Sequence, residues 1–221
     1  MVEEHRMRYK ILNDFLRLEV NSLGAEAMSL QSLPDQIEFL WQGDAKYWAR
    51  HSPILFPIVG ALKNNKFTLN GKEYEMAQHG FARDSEFELK EAADQSLTFF
   101  LKENPQTLKQ FPFPFELSTS YKLEGKSVLI RHDIVNTGQE KMWFSIGEHP
   151  GFNCPLFSNE TMEDYSLEFE KEERLERRFL EKWMASCSSM MCCSLWKRRR
   201  DFSLRRRRGE EQRGSRNISV S

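Results

Sequence analysis

Cysteine is nearly missing from most of this chain. Cys154 is the single thiol of residues 1–181, while Cys187, Cys192 and Cys193 fall in the last forty positions. One thiol builds no disulfide framework, which excludes a cysteine-stapled secreted module and fits a reducing compartment. Long apolar runs are missing too, and nothing approaches the ~20 residues of a spanning helix. The N-terminus opens on Glu3, Glu4, Arg6 and Arg8 without an apolar leader core, so no secretory signal is read there. A cytoplasmic protein without a membrane partner is expected. Strongly helical patterning is also scarce, and that absence directs attention to strands.

Charge of one sign is lacking in the total but not in the parts. The formal net charge is −1. Residues 182–221 hold eleven of the 32 basic and three of the 33 acidic residues, so this tail stands at +8 and residues 1–181 at −9. An acidic body argues against a nucleic-acid or anionic-lipid surface on the globular part.

Alternation and turn signals give the body a β reading. From Phe15 to Val20, Leu16, Leu18 and Val20 share one face, with Arg17 and Glu19 on the other. Asn70-Gly71, set between Phe67 and Tyr74, marks a hairpin, because Asn-Gly accepts the positive φ of a strand-matched turn. Glu124-Gly125-Lys126 marks a second, between strands expected over 115–123 and 128–135. Further strands are expected over 25–30, 87–91, 97–102, 142–146 and 165–169. Short helical turns are expected over 44–50, with Asp44 as cap, and over 104–110. Many short strands with Gly and Asn turns indicate an all-β sandwich or barrel.

The text changes after residue 181. Ser, Cys and Met give way to Arg198-Arg199-Arg200 and Arg205-Arg206-Arg207-Arg208. No alternation is visible there, and the segment is expected to lack order. It reads in two ways. One is a basic arm for nucleic acid or anionic lipid. The other is an out-of-frame end, because a Lys/Glu-rich coding stretch read one base off yields mainly Arg, Lys, Gly and Glu. The expected organisation is a β domain over 1–181 and a tail over 182–221.

Two histidine motifs carry the chemistry. One is Gln78-His79-Gly80-Phe81-Ala82-Arg83-Asp84; the other is Ser145-Ile146-Gly147-Glu148-His149-Pro150-Gly151-Phe152-Asn153. A histidine at a strand end, beside Gly and Pro, presents an imidazole with a near-neutral pKa. Read alone, each could equally be a packed histidine bonded to backbone. His132 sits in an alternating strand and His5 near the terminus, and both read as surface groups. His51, before Ser52-Pro53, stays open.

With four further landmarks in order, Leu23-Gly24-Ala25-Glu26, Phe39 to Asp44, Tyr47-Trp48 and Ser52 to Gly60, the chain resembles the aldose 1-epimerases, or galactose mutarotase-like proteins, over roughly residues 9–180. The resemblance implies a large galactose mutarotase-like β-sandwich (supersandwich), incomplete at the C-terminus, that interconverts α and β anomers of a hexose or hexose phosphate. It requires no cofactor and no metal. Ring opening needs a proton delivered to the ring oxygen while another leaves the C1 hydroxyl. By resemblance His149 is the general acid, and His79 hydrogen-bonds the same region of the sugar. The family's sugar-binding arginine would follow Gly60, where this chain has none. Lys63 or Asn65 could substitute, or Arg83 could supply the fork, although Arg83 could instead pair with Asp84 or Glu148. Trp41, Trp48, Phe81 and Phe152 are candidates to stack on a pyranose face or to pack in the core.

The family's catalytic glutamate comes from strands after the second motif, and that part of the pattern is missing here. Glu210 and Glu211 have no strand context. Glu148 adjoins His149, but its side chain should point to the opposite face of the strand. An impaired isomerase is therefore expected, and the alternative is a non-catalytic carbohydrate-binding module.

Overall fold

Period-2 alternation does most of the building. In a computed structural model that describes residues 7–169 and the strand segments 190–192, 195–196, 202–206 and 218–220, β1 (Arg8–Leu12), β2 (Leu16–Asn21) and β3 (Ala27–Ser32) form an antiparallel meander. Leu16, Leu18 and Val20 of β2 are buried, as their spacing requires. The strand β4 (Ile54–Leu55) is short and wholly buried. Next, β5 (Lys66–Leu69) and β6 (Lys72–Glu75) form the expected hairpin, with φ of 50° at Asn70 and 79° at Gly71. Both values are positive, as a strand-matched two-residue turn needs.

A long meander follows: β7 (Glu88–Ala93), β8 (Ser96–Lys102), β9 (Phe115–Glu124) and β10 (Ser127–Asn136). The inward side chains of β9, Phe115, Leu117, Thr119, Tyr121 and Leu123, are at most 2% exposed. They are the floor of the core. Tyr121 buries its ring completely and donates its hydroxyl proton to the Ala25 carbonyl at 2.7 Å, which ties the meander of β1–β3 to β9 and satisfies a polar tip that burial would otherwise penalise. Phe56, Phe81, Phe111 and Phe115 add a cluster with ring centroids 5.3–6.4 Å apart.

The remaining strands are β11 (Gly147–Glu148), β12 (Gly151–Asn153), β13 (Tyr165–Phe169), β14 (Met190–Cys192), β15 (Leu195–Trp196), β16 (Phe202–Arg206) and β17 (Ile218–Val220). The largest sheet has the order β13-β16-β17-β10-β9-β8-β7, and β11 lies between β4 and β15. Strands β14–β17 fall inside the stretch expected to lack order. Each pairs with one of the body strands β10–β13, and β16 and β17 also pair with each other.

One local expectation needs correction. Residues 142–146 form no strand; the segment is held at Ser145, whose N–H donates to the Pro57 carbonyl at 2.8 Å, and the strand begins at Gly147. Over 44–50 the turn capped by Asp44 does form, its carboxylate accepting from the Lys46 N–H and its carbonyl from Tyr47 and Trp48, but it ends there without extending into helix. The helix α1 (Thr107–Gln110) does form, with the Asn104 side chain accepting from the Gln106 and Thr107 N–H groups.

Candidate functional site

The two histidine motifs, 70 residues apart in sequence, meet in space. The motif containing His79 leaves β6 in a tight turn where His79 has φ 67° and Gly80 φ 73°. Gly80 lies against Phe56, with which it forms a parallel bridge. A Cβ at Gly80 would sit 2.2 Å from the Phe56 carbonyl oxygen, so only glycine fits this approach. His149 follows β11 directly, and its N–H donates to the Pro53 carbonyl at 3.2 Å. The result is a His79–His149 ring separation of 6.4 Å, with the Trp48 ring 5.0 Å from that of His149.

His79 is held by a reciprocal pair of bonds with Gly60. Its own N–H donates to the Gly60 carbonyl at 2.8 Å, and the Gly60 N–H donates to His79 Nδ1 at 3.0 Å. A backbone N–H can only donate, so Nδ1 carries no proton and the neutral ring bears its proton on Nε2. The Gln78 amide lies 3.3 Å from that Nε2, and it serves as acceptor when its oxygen is turned toward the ring.

Burial pushes the His79 imidazole down to about 4, with the Arg83 charge and His149 adding to the effect. Burial also lowers His149, again helped by Arg83. The charged neighbours acting on both rings are thus cationic, and at neutral pH both rings are neutral N–H donors. One consequence concerns stability. His79 takes up its proton near 4 when folded and near 6.5 when unfolded. The unfolded chain therefore binds more protons in that window. The contribution is fully present above the unfolded value and is lost as pH falls toward about 4. Proton NMR of the His79 ring should show no titration between pH 8 and 5.5, and a midpoint near 6.5 would contradict the Gly60 bond.

Arg83 reaches back to donate from Nη2 to the Gln78 carbonyl at 2.8 Å, and its Nε lies 3.6 Å from Asp84. Of the two pairings open to it in sequence, it takes Asp84. Burial and the nearby Arg50 cation lower its pKa. Arg50, which sequence reasoning missed, is the stronger partner of Asp84 and also donates to the Arg83 carbonyl at 3.0 Å. Glu26, which lies in one of the quoted landmarks, is 6% exposed and accepts from the N–H groups of His51 and Ser52 at 2.7 and 3.0 Å. Its burial could not be foreseen from a landmark without a partner. His51 packs its ring against Gly43, and burial lowers its pKa; its backbone carbonyl accepts from Gly151, which makes it a brace between the two motif regions.

Other candidates fall away from the histidines. Phe152 is 3% exposed, in the core and bridged to Leu40, so it offers no face to a ligand, contrary to its expected binding role. Trp41 at 8% and Phe81 at 7% are likewise buried, which leaves Trp48 as the partly exposed ring of the four. Lys63 and Asn65 are exposed on the turn after Gly60, with Asn64 and Asn65 at positive φ; no contact ties either side chain to the histidines. His132 is not a surface group. Its side chain is 16% exposed and bridges Thr119 Oγ1 and Glu148 Oε1, each at 3.1 Å. Glu148 accordingly points away from His149, as strand alternation demands. His5, Glu210 and Glu211 lie outside the described residues. Among the described residues no group of three or more His, Cys, Asp or Glu could hold a metal, and no helix is long and apolar enough to cross a membrane.

Comparison with known proteins decides the family. The aldose 1-epimerase family model matches residues 7–182. The chain belongs to the aldose 1-epimerase family. Protein LacX of Lactococcus lactis subsp. lactis, in its plasmid form, is 39% identical over 173 residues, 76% of this chain and 58% of the relative. The chain thus spans under two thirds of the length of the curated relatives it matches. The X-ray structure of a galactose mutarotase related enzyme from Lactobacillus acidophilus has a TM-score of 0.79 at 33% identity, covering 91% of this chain and 74% of that one. A galactose mutarotase-like protein from Lactobacillus casei gives 0.73 at 31%, covering 85% and 68%. The aldose 1-epimerase family fold is therefore a galactose mutarotase-like β-sandwich here too, and the family match stops within one residue of the point where the composition changes.

Proposed function

We propose that this chain presents the acid half of an aldose 1-epimerase site to a free hexose or hexose phosphate, and that its turnover is impaired. The observation that carries the reading is the convergence of His79, His149 and Trp48 at ring distances of 6.4 and 5.0 Å. Trp48 offers an apolar face to the CH groups of a pyranose. His149 donates its proton to the ring oxygen as the C1–O5 bond opens. His79, bearing its proton on Nε2, hydrogen-bonds an oxygen lone pair of the same sugar. Arg83, and on the adjoining turn Lys63 and Asn65, supply further donors to hydroxyls or to a phosphate. A reducing, cytoplasmic setting fits the lone body thiol.

A base is needed to take the C1 hydroxyl proton, and among the described residues the carboxylates near this site are committed elsewhere. Glu148 pairs with His132, Glu26 holds the backbone of residues 51 and 52, and Asp84 pairs with Arg50 and Arg83. Loss of one member of an acid–base pair lowers a rate by roughly 10²–10⁴-fold. Purified protein should bind a free aldose by calorimetry and show mutarotation, in a coupled anomer assay, slower by that factor than LacX-type relatives. A rate equal to theirs would refute the impairment. Binding without any turnover would favour a carbohydrate-binding module, and no binding would overturn the sugar reading itself.

A further inference from the structure

Among the described residues, strand β10 has one fully paired edge and one that is mostly open. Against β9 it is matched from Ser127 to Asn136. On its other side, among the described residues, β17 reaches Ser127 and Val128 and goes no further. The two-residue turn Gly125-Lys126 makes Glu124 and Ser127 a hydrogen-bonded pair. By alternation, the N–H and C=O groups of Ile130, His132 and Ile134 then face the open edge. An edge of this kind is a template for another strand.

The open segment reads Leu129-Ile130-Arg131-His132-Asp133-Ile134-Val135. In chemical character it is the same in both directions: an aliphatic pair at each end, opposite charges either side of the centre, and a histidine at the middle. We propose that this edge joins two copies of the chain in an antiparallel, two-fold pairing centred on His132, which makes one sheet continuous across both. Ile130 then faces the partner's Ile134, and Leu129 faces the partner's Val135. Arg131 faces the partner's Asp133 at a non-hydrogen-bonded position, where side chains stand closest.

Three observations support this occupant over an arbitrary strand. Arg131 and Asp133 project outward, with side chains 71% and 45% exposed, and bond each other, since on β9 they face only Ser120 and Ser118 rather than an opposite charge. Val135 is 52% exposed, while Ile130 and Ile134 are only partly buried against the core. Last, register is specified. In a two-fold pairing that keeps faces aligned, the centre must fall on a residue. Moving it to position 131 sets Arg131 against itself, and moving it to 133 sets Asp133 against itself. Only the pairing about His132 places opposite charges together, and like charges directly opposite are destabilising. The interface is isologous and closes at two copies, with β17 of each copy limiting its length.

The test is the mass in solution. By sedimentation at micromolar concentration, the wild-type chain should run at twice 26.2 kDa. Arg131→Asp and Asp133→Arg should each weaken the dimer on the order of tenfold, since each puts like charges together at two symmetric positions. The double exchange, Arg131→Asp with Asp133→Arg, should restore it. Circular dichroism matched to wild type certifies the fold of each variant, and if one single variant fails to fold the other asks the same question. A wild-type monomer, a dimer indifferent to both single reversals, or a double exchange that rescues nothing would each overturn the proposal.

Discussion

Gly80→Ala is expected to cost about 4 kcal/mol of stability, the sum of a left-handed backbone now carrying a Cβ and lost hydrogen bonds around it. The Cβ would lie 2.2 Å from the Phe56 carbonyl oxygen, 2.5 Å from its carbon and 2.7 Å from Pro57 Cδ. Two of these neighbours are backbone, so no rotamer change relieves the clash. The same Phe56 carbonyl accepts the N–H groups of Phe81 and Ala82 at 3.0 and 3.1 Å, and moving it apart from Gly80 loosens both. Gly60→Ala is the control: its φ is 88°, but nothing lies within 4 Å of the added carbon, so only the conformational cost of about 1–2 kcal/mol applies. Urea denaturation of the two variants separates the clash from the conformational strain. A Gly80→Ala loss no larger than the Gly60→Ala loss would show that the Phe56 approach is not tight.

His132→Leu is expected to cost about 3–5 kcal/mol, because it strands the Glu148 carboxylate in the interior. Glu148 is 9% exposed and His132 Nε2 stands 3.1 Å from its Oε1. Replacing both partners, His132→Leu with Glu148→Met, should recover most of that loss, since two apolar groups need no pairing. A double-mutant cycle reads the coupling directly. Additive losses would mean that the pair contributes nothing as a pair.

The parts of this fold that could be read from sequence are those with a local cause. Alternation located β2, and β13 was expected at its observed limits. Asn70-Gly71 and Gly125 located two hairpins because their turns demand positive φ. The convergence of His79 and His149 came from resemblance, since nothing in either motif names the other. What stayed illegible depends on partners distant in sequence. His132 alternates like a surface residue, but its ring lies over Glu148, sixteen positions on. Phe152 and Trp48 are alike as aromatics in glycine- or charge-flanked stretches, yet one is core and the other borders His149. Arg50 and Glu26 had no local signal at all. In the basic tail, each of β14–β17 pairs with a strand of the body, and β16 and β17 also pair with each other, none of which a local pattern announces.

Strand β11 is two residues long, and those two facts of length and alternation divide labour between neighbours. Glu148 looks inward to the space between the sheets, and the next residue, His149, looks out toward Trp48. The interior can therefore be redesigned without touching the chemistry, provided positions 132 and 148 are exchanged together. Changing one of them alone would tug the imidazole through a single peptide unit. Under the proposed reading, a carboxylate added as base belongs on the outer rim near the indole, with that inner couple left intact.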